Sequence, residues 1–319
     1  GIKDYTSWGN YPKHTQDGTC FDKNKLADIN KLYLPYGRGR SYGDSCLNSL
    51  GVLLDSSNYS SLISFDTKNG IFEGGAGMTF NDLLSITIPK SFFVQVSPGT
   101  QFATLGGGIA NDVHGKNHHF EGSFGNHVIS FKLYREGELL ECSRTQNIEI
   151  FKATIGGLGL TGFILSVKIK LKKILNSYIN VENIKFNSLD EFFRLSEESE
   201  KKYEYLVSWI DCTSLEGSLI NGIFSRGNHS NDKKLGNTYK HGFNISYPLR
   251  HKRSFVNKIT LKPFNFLYYN KQIRKTVKKT EYYRSFFYPL DSILNWNYIY
   301  GSQGFLQHQS LIPKEHAKK

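Results

Sequence analysis

Three glycine-dense loops in the first half of the chain have the composition of an anion-binding cradle. They occupy residues 35–44, 97–110 and 155–162. Glycine permits φ > 0 and lets the backbone come close to a ligand, so successive N–H groups can converge on phosphate oxygens. Thr104 precedes three glycines and could open a helix whose first amides face a phosphate. Three such loops in one region favour a dinucleotide site over three unrelated turns.

A Rossmann site is the weaker interpretation of the first loop. It would need Gly-x-Gly-x-x-Gly directly after a buried strand, at the start of a helix, with an acidic residue about 20 positions later. Gly37-Arg38-Gly39 instead continues into the loop-like run of residues 40–44. The spacing therefore disfavours NAD.

A polar segment follows the second loop, with His-Gly-Lys-Asn-His-His at residues 114–119. Zinc sites favour spacings that place two ligands on one helical face. His114 and His118 would meet that condition only in a helix, and the glycine at position 115 disfavours one. We therefore predict no metal site.

His114 and Lys116 have another potential role. A lysine and a histidine beside a cofactor loop can orient a substrate hydroxyl or phosphate and help its proton to leave. Contact of His114 with the cofactor alone is the competing interpretation. The other histidines of the segment are expected to hydrogen-bond backbone atoms in a tight loop: His118, His119 and His127.

The elements that must position these residues mix hairpins with short helices. Alternating apolar residues over 163–171 predict a strand with one buried and one wet face. Thr79 is expected to begin a short helix over Phe80–Ile88. Hairpin signals pair residues 62–65 with 71–73 and 127–134 with 139–143. This mixture indicates an α+β fold and not a regular βαβ sheet.

Composition limits the class of protein. The 319 residues suggest about two domains, and 39% hydrophobic residues exclude global disorder. No segment approaches the ~20 apolar residues of a membrane span, and the first residues lack the apolar run of a signal peptide. The four cysteines are far apart, which excludes a zinc ribbon and a small disulfide scaffold. A cytoplasmic setting is expected.

The net charge of +12 is concentrated in one segment. Residues 250–284 hold eleven Lys or Arg against one acidic residue, Glu281, a surplus of ten. Phenylalanines and tyrosines lie between them and suit a membrane interface as well as a core. Two interpretations of this segment stay open: it contacts an anionic membrane or polyanion, or it is a solvated surface without a partner. Nucleic acid is disfavoured, because no recognisable nucleic-acid module accompanies the charge.

Several motifs together resemble the decaprenylphosphoryl-β-D-ribose 2-oxidase family, within the vanillyl-alcohol-oxidase (PCMH) type of FAD proteins. They lie at residues 37–44, 98–100, 106–119, 122–128, 159–162, 208–211, 288–291, 296–297 and 304–309. The resemblance implies a PCMH-type, two-lobed FAD-binding domain over residues 1–174. A substrate domain with an antiparallel sheet would follow over residues 175–319. Family members continue well beyond Gln309, so the resemblance also implies that this second domain is truncated.

The resemblance implies an FAD-dependent enzyme that oxidises a sugar secondary alcohol by hydride transfer to flavin N5. Its substrate would be a polyprenyl-phosphate-linked pentose of cell-wall polysaccharide biosynthesis, with a short-chain reductase as partner. Arg40 stands where relatives with covalent flavin have a histidine, so FAD is expected to bind non-covalently. The implied FAD contacts are Gly37, Arg38, Gly39, Arg40, Ser41, Tyr42, Gly43, Gly99, Thr104, Leu105, Gly106, Gly107, Asn111, Asp112, Val113, His114 and Ile164.

The implied active site has a catalytic and a substrate-binding set. Tyr42 or His114 would take part in the transfer of the proton from the substrate hydroxyl. Lys116 and Gln307 would orient the sugar, together with Trp209 and Gln309. Two alternatives stay open: an aldose, lactone or alditol oxidase of the same superfamily, and a non-catalytic flavin-fold protein at a membrane surface. The expected location is cytoplasmic, peripheral at the inner face of the membrane.

Overall fold

A computed structural model describes residues 4–22, 31–213, 219–240 and 244–317. Its strands are β1 (Asp17–Cys20), β2 (Tyr33–Tyr36), β3 (Val52–Asp55), β4 (Leu62–Asp66), β5 (Ile71–Gly75), β6 (Phe92–Val94), β7 (Val128–Arg135), β8 (Glu138–Ser143), β9 (Phe163–Lys173), β10 (Tyr178–Ser188), β11 (Tyr205–Ile210), β12 (Leu219–His229), β13 (Ile245–Ser246), β14 (Thr276–Tyr282) and β15 (Ile293–Leu294). Its α-helices are α1 (Phe80–Thr87), α2 (Leu105–Ala110), α3 (His118–Glu121), α4 (Ile148–Thr154), α5 (Leu189–Ser199), α6 (Lys258–Lys271) and α7 (Tyr283–Phe287). The α+β class expected from the sequence is confirmed.

Two sheets build the first half of the chain. Strands β1, β3 and β2 form a small parallel sheet. The second sheet has the order β4-β5-β9-β7-β8, and β6 also pairs with β9. Both predicted hairpins are confirmed as β4–β5 and β7–β8.

The central strand β9 departs from simple alternation. From Val167 to Leu171 the apolar residues are buried and the lysines between them are not, as predicted. Ser166, however, is buried, and its neighbour Leu165 is only half-buried. The prediction of a solvent-exposed face therefore fails at Ser166, which lies opposite Gly75 in β5 and Lys132 in β7.

The two predicted helix starts are both present. Thr79 caps α1 by accepting from the Asp82 amide, and the Asp82 carboxylate accepts from the Thr79 amide in return. The α-helix ends at Thr87, ahead of a proline that continues as a short 3₁₀ turn. Thr104 caps α2 in the same manner, with Oγ1 accepting from the Gly107 amide at 3.0 Å.

An antiparallel sheet dominates the second half, as expected. Its order is β11-β12-β10-β14, and α5 packs against it through Leu195, which joins Phe186 and Phe224 in a separate apolar cluster. β9 ends at Lys173 and β10 begins at Tyr178. The predicted domain boundary at residues 174–175 falls between them, and the division into two domains stays a prediction.

The chain finally returns to its first half. The aromatic residues of α7 join the core of the β9 sheet. The Tyr288 hydroxyl hydrogen-bonds that of Ser97, and the Phe305 amide donates to the Gly9 carbonyl at 2.8 Å. Residues from both ends of the sequence therefore meet around the glycine loops.

Candidate active site

A cavity of about 890 Å³ lies where the three glycine loops meet. This volume is at the upper end of the range of ~300–1,000 Å³ typical of ligand pockets. Besides the loops, the cavity is lined by Trp8 and by residues of the segment that follows α7, which we call the returning segment. These include Asp291, Trp296, Gln307 and Gln309. It is large enough for a ligand of dinucleotide size.

The first loop supplies hydrogen-bond donors to this cavity. Among the described residues, no protein acceptor takes the amides of residues 38–43. Gly39 and Gly43 adopt φ of 60° and 66°, the left-handed conformation that turns successive amides to one side. Unpaired amides at a cavity wall are the donors that a diphosphate requires, so this loop fits FAD.

The amides of α2 are not available in the same way. Leu105 N donates to the Met78 carbonyl, Gly106 N to the Ala76 carbonyl and Gly107 N to Thr104 Oγ1. The prediction that these amides face a phosphate is therefore wrong, because the turn before α1 and the helix's own cap already take them. The glycines instead allow the backbone of α2 to pack closely against neighbouring residues. A Cβ at Gly106 would lie 3.0 Å from that of Ala76.

Arg40 and Asp291 are charged residues that both line the cavity. The Arg40 guanidinium lies 4.5 Å from the ring centre of Trp8, and the Asp291 carboxylate accepts from the Gln101 amide at 2.8 Å. Burial raises the pKa of Asp291, while hydrogen bonds from Gln101 and Thr100 and the charge of Arg40 oppose this shift. Asp291 was missed as a site residue, although the motif Tyr-Pro-Leu-Asp that contains it contributed to the family resemblance.

His114 meets the returning segment at one end of the cavity. The amide nitrogen of Gln309 lies 2.7 Å from His114 Nε2. The side-chain amide of Gln309 can be donor or acceptor to this ring nitrogen, according to the tautomer of His114. Tyr42 lines the same cavity and packs edge-on against Phe305 at 5.4 Å, where burial raises the pKa of its hydroxyl.

The structure brings most of the predicted site residues to this cavity. The lining set contains Gly37, Arg38, Gly39, Arg40, Ser41, Tyr42, Gly99, Thr104, Gly106, Gly107, Asn111, Val113, His114, Ile164, Gln307 and Gln309. Leu105 is instead part of the hydrophobic core, and Asp112 accepts from the Gly125 amide at 2.9 Å. Gly43 also lies outside the lining set. The role of each residue stays a prediction.

Lys116 and Trp209 lie away from the cavity wall. Lys116 Nζ donates to the Phe287 carbonyl at 3.0 Å, and burial lowers the pKa of its ammonium group to about 8. Trp209 packs on the ring of Tyr268 in α6 at 4.8 Å. The structure therefore does not bring these two side chains together with Gln307.

The histidine-rich segment is held mainly by backbone contacts, as predicted. The ring nitrogens of three histidines lie within 3.3 Å of carbonyl oxygens: His118 to Gly115, His119 to Tyr203 and His127 to Glu121. Helix α3 begins only at His118, so His114 lies outside it. Among the described residues, no three His, Cys, Asp or Glu side chains are grouped to hold a metal ion.

Comparison with known proteins agrees with this geometry. Residues 25–143 match the family model described as an FAD binding domain. The chain is 34% identical over 289 residues to decaprenylphosphoryl-beta-D-ribose oxidase of Mycolicibacterium smegmatis, an alignment that covers 88% of the chain and 63% of that relative. The chain therefore contains an FAD binding domain. Its cofactor is FAD. The chain spans less than two thirds of the length of this relative.

Two further relatives match the chain over shorter stretches. An uncharacterized protein in the mprA 5' region of Streptomyces coelicolor is 28% identical over 163 residues, which are 50% of the chain and 43% of that protein. An uncharacterized oxidoreductase from the fasciation locus of Rhodococcoides fascians is 29% identical over 136 residues, 42% of the chain and 31% of that protein.

Proposed function

We propose that the protein oxidises a secondary alcohol of a polyprenyl-phosphate-linked pentose to a ketone. The observation that carries the proposal is the hydrogen bond of 2.7 Å between Gln309 and His114. This hydrogen bond joins the returning segment to the wall of the flavin cavity. The side chains of Gln307, Gln309, Tyr42 and His114 all line that cavity. The relative named as a decaprenylphosphoryl-ribose oxidase supports the choice of substrate.

Different groups of the chain have different roles in the proposed reaction. The amides of residues 38–43 would hold the diphosphate of FAD, which when bound supplies the hydride acceptor. In the tautomer with its proton on Nδ1, His114 would offer Nε2 as an acceptor. A substrate hydroxyl that replaces the Gln309 amide would then give its proton to that nitrogen. The amides of Gln307 and Gln309 would orient the remaining sugar hydroxyls. Lys116 and Trp209 are not assigned a step.

Anaerobic flavin reduction tests this function. The holoprotein is mixed without oxygen with a short-chain prenylphosphoryl ribose, and the loss of flavin absorbance is recorded. Free ribose, an aldonolactone and an alditol are the matched alternatives, since they would be the donors of a free-sugar oxidase. We expect bleaching by the prenylphosphoryl sugar at a rate at least about tenfold above the others, or ~1.4 kcal/mol of discrimination. Absence of bleaching with every donor would favour the non-catalytic alternative.

The Gln307→Ala variant checks the site itself. Loss of a hydrogen bond to a substrate hydroxyl should slow flavin reduction by about tenfold, while the absorbance of bound FAD stays unchanged. A variant that reduces its flavin at the wild-type rate would exclude Gln307 from the substrate site.

The proposal also includes partners and a location. A polyprenyl tail lies in a membrane, so its headgroup is reached from the surface, and residues 250–284 carry the positive charge that an anionic leaflet attracts. We place the protein at the cytoplasmic face of the membrane, with a short-chain reductase to consume the keto sugar. No helix in the described part of the chain is long and apolar enough to cross a bilayer.

A further inference from the structure

Helix α6 has a polar residue at its most buried position. This residue is Asn265, whose side-chain amide donates to Asp211 Oδ1 at 2.6 Å. One turn later, the Tyr269 hydroxyl donates to the Phe186 carbonyl at 3.4 Å. Leu261 and Tyr269 on the same side are half-buried, so no apolar side chain of α6 is fully buried, whereas a surface helix normally buries apolar residues there.

The opposite side of α6 is apolar and exposed. Ile259, Pro263, Phe266 and Leu267 follow the spacing i, i+4, i+7, i+8 that places side chains on one helical face. Ile259 is 85% exposed, Phe266 67% and Leu267 68%. Just beyond the helix, Ile273 is 93% exposed. These side chains form one outward apolar stripe, which is unusual for a surface in contact with water alone.

Six of the basic residues of this region fall into two groups. Three of them form ion pairs: Lys275 with Glu191 at 2.8 Å, Lys278 with Glu182 at 3.4 Å and Lys279 with Glu281 at 2.8 Å. The lysines of α6 have no acidic partner among the described residues. At 100° per residue, Lys262 lies on one side of the apolar stripe and Lys271 on the other, while the exposed Lys258 in the first turn lies farther round, near the direction of Asn265.

We propose that the outward face of α6 inserts into the interfacial region of an anionic phospholipid bilayer. This inference rests on the peripheral location proposed above and assigns the element that makes the contact. An apolar stripe flanked by lysines is the pattern of a helix that lies in the plane of a membrane interface. A second copy of the chain fits less well, because a two-fold contact between these faces would bring their lysines together. The ion-paired lysines take no part.

Vesicle co-sedimentation of the FAD-loaded protein tests this assignment. Two variants address the face: Phe266→Ser with Leu267→Ser, and Lys258→Gln with Lys262→Gln and Lys271→Gln. The matched control replaces the three ion-paired residues (Lys275→Gln, Lys278→Gln and Lys279→Gln) and removes the same number of charges.

Wild type should bind vesicles that contain phosphatidylglycerol and not vesicles of pure phosphatidylcholine. Each free lysine near an anionic surface contributes about fivefold in binding, so the triple lysine variant should lose on the order of 100-fold. The serine variant should lose about tenfold or more. The control should retain most of its binding. Since the changed α6 side chains are exposed, FAD absorbance should be unchanged in both test variants.

Several results would overturn the assignment. These are absence of wild-type binding to anionic vesicles, an equal loss in the control variant, or a dimer in light scattering that the serine substitutions dissolve. The third result would make a second copy the occupant. Flavin reduction by a soluble short-chain substrate needs no vesicles. A failure of membrane binding is therefore distinguishable from a failure of the proposed oxidation.

Discussion

His229 makes the stability of the protein depend on pH in a calculable way. It ends β12 among aromatic rings, with Phe93 at 5.2 Å and Tyr205 at 5.7 Å between ring centres. Both of its ring nitrogens are buried without a hydrogen-bond partner among the described residues. Burial, and after it the charge of Lys172, lowers the pKa of the imidazole to about 3.

The sign of the effect follows from the two pKa values. In the unfolded chain the pKa of histidine is about 6.5. Below that pH the unfolded state therefore binds a proton that the folded state does not bind. The stability that neutral His229 contributes is complete above pH ~6.5 and is lost as the pH falls toward 3. With a slope of ~1.36 kcal/mol per pH unit, the loss between pH 8 and pH 5 is about 2 kcal/mol.

Urea denaturation of wild type and His229→Phe at pH 8 and pH 5 measures this contribution. Other groups titrate equally in both proteins, so the difference between their free energies of unfolding should shift by about 2 kcal/mol in favour of the variant at pH 5. His14→Phe, at an exposed position, is the control and should follow wild type. An identical pH dependence in wild type and His229→Phe would show that His229 ionises normally in the folded protein, and would refute the reasoning.

Three further predictions concern the flavin cavity. Acid precipitation should release all FAD into the supernatant, because Arg40 cannot form the covalent link; flavin fluorescence in the pellet would contradict this. Asp291→Ala should lower the free energy of unfolding by about 1–3 kcal/mol, since it removes the acceptor of the buried Gln101 backbone amide. Asp291→Asn keeps an acceptor oxygen and should cost less, and equal urea midpoints for both variants would argue against this role. Gly106→Ala should destabilise the apoprotein by ~1–3 kcal/mol through contact with Ala76. Gly99→Ala, where a Cβ meets no atom within 4 Å, should be nearly neutral in the same urea titration.

Local features of the fold were readable from the sequence. The turn at Glu136-Gly137-Glu138 and the caps Thr79 and Thr104 involve residues a few positions apart, so their types and spacing determine them. The loops at the cavity were recognisable for the same reason, because a glycine that needs φ > 0 is a property of its own backbone.

Features that depend on distant parts of the chain were not readable. The amides at the start of α2 are taken by Ala76 and Met78, whose carbonyls reach them only in the folded protein. Asp291 joins the cavity through Gln101, 190 positions away. The orientation of α6 depends on the contact of Asn265 with Asp211, 54 positions away, whereas the usual rule would turn the apolar stripe inward.

The contact between Gly9 and Phe305 has a consequence for folding. A Cβ at Gly9 would lie 2.3 Å from the Phe305 carbonyl oxygen, so residues 9 and 305 touch directly beside the cavity. Contacts between residues so far apart in sequence form late, because the entropy of closing the intervening loop must be overcome first. The core of the β9 sheet includes the aromatic residues of α7, so its packing is also complete only after this later segment has joined it. The binding site is therefore complete only when the segment around Gln309 has reached the glycine loops, and FAD stabilises that state by binding to it.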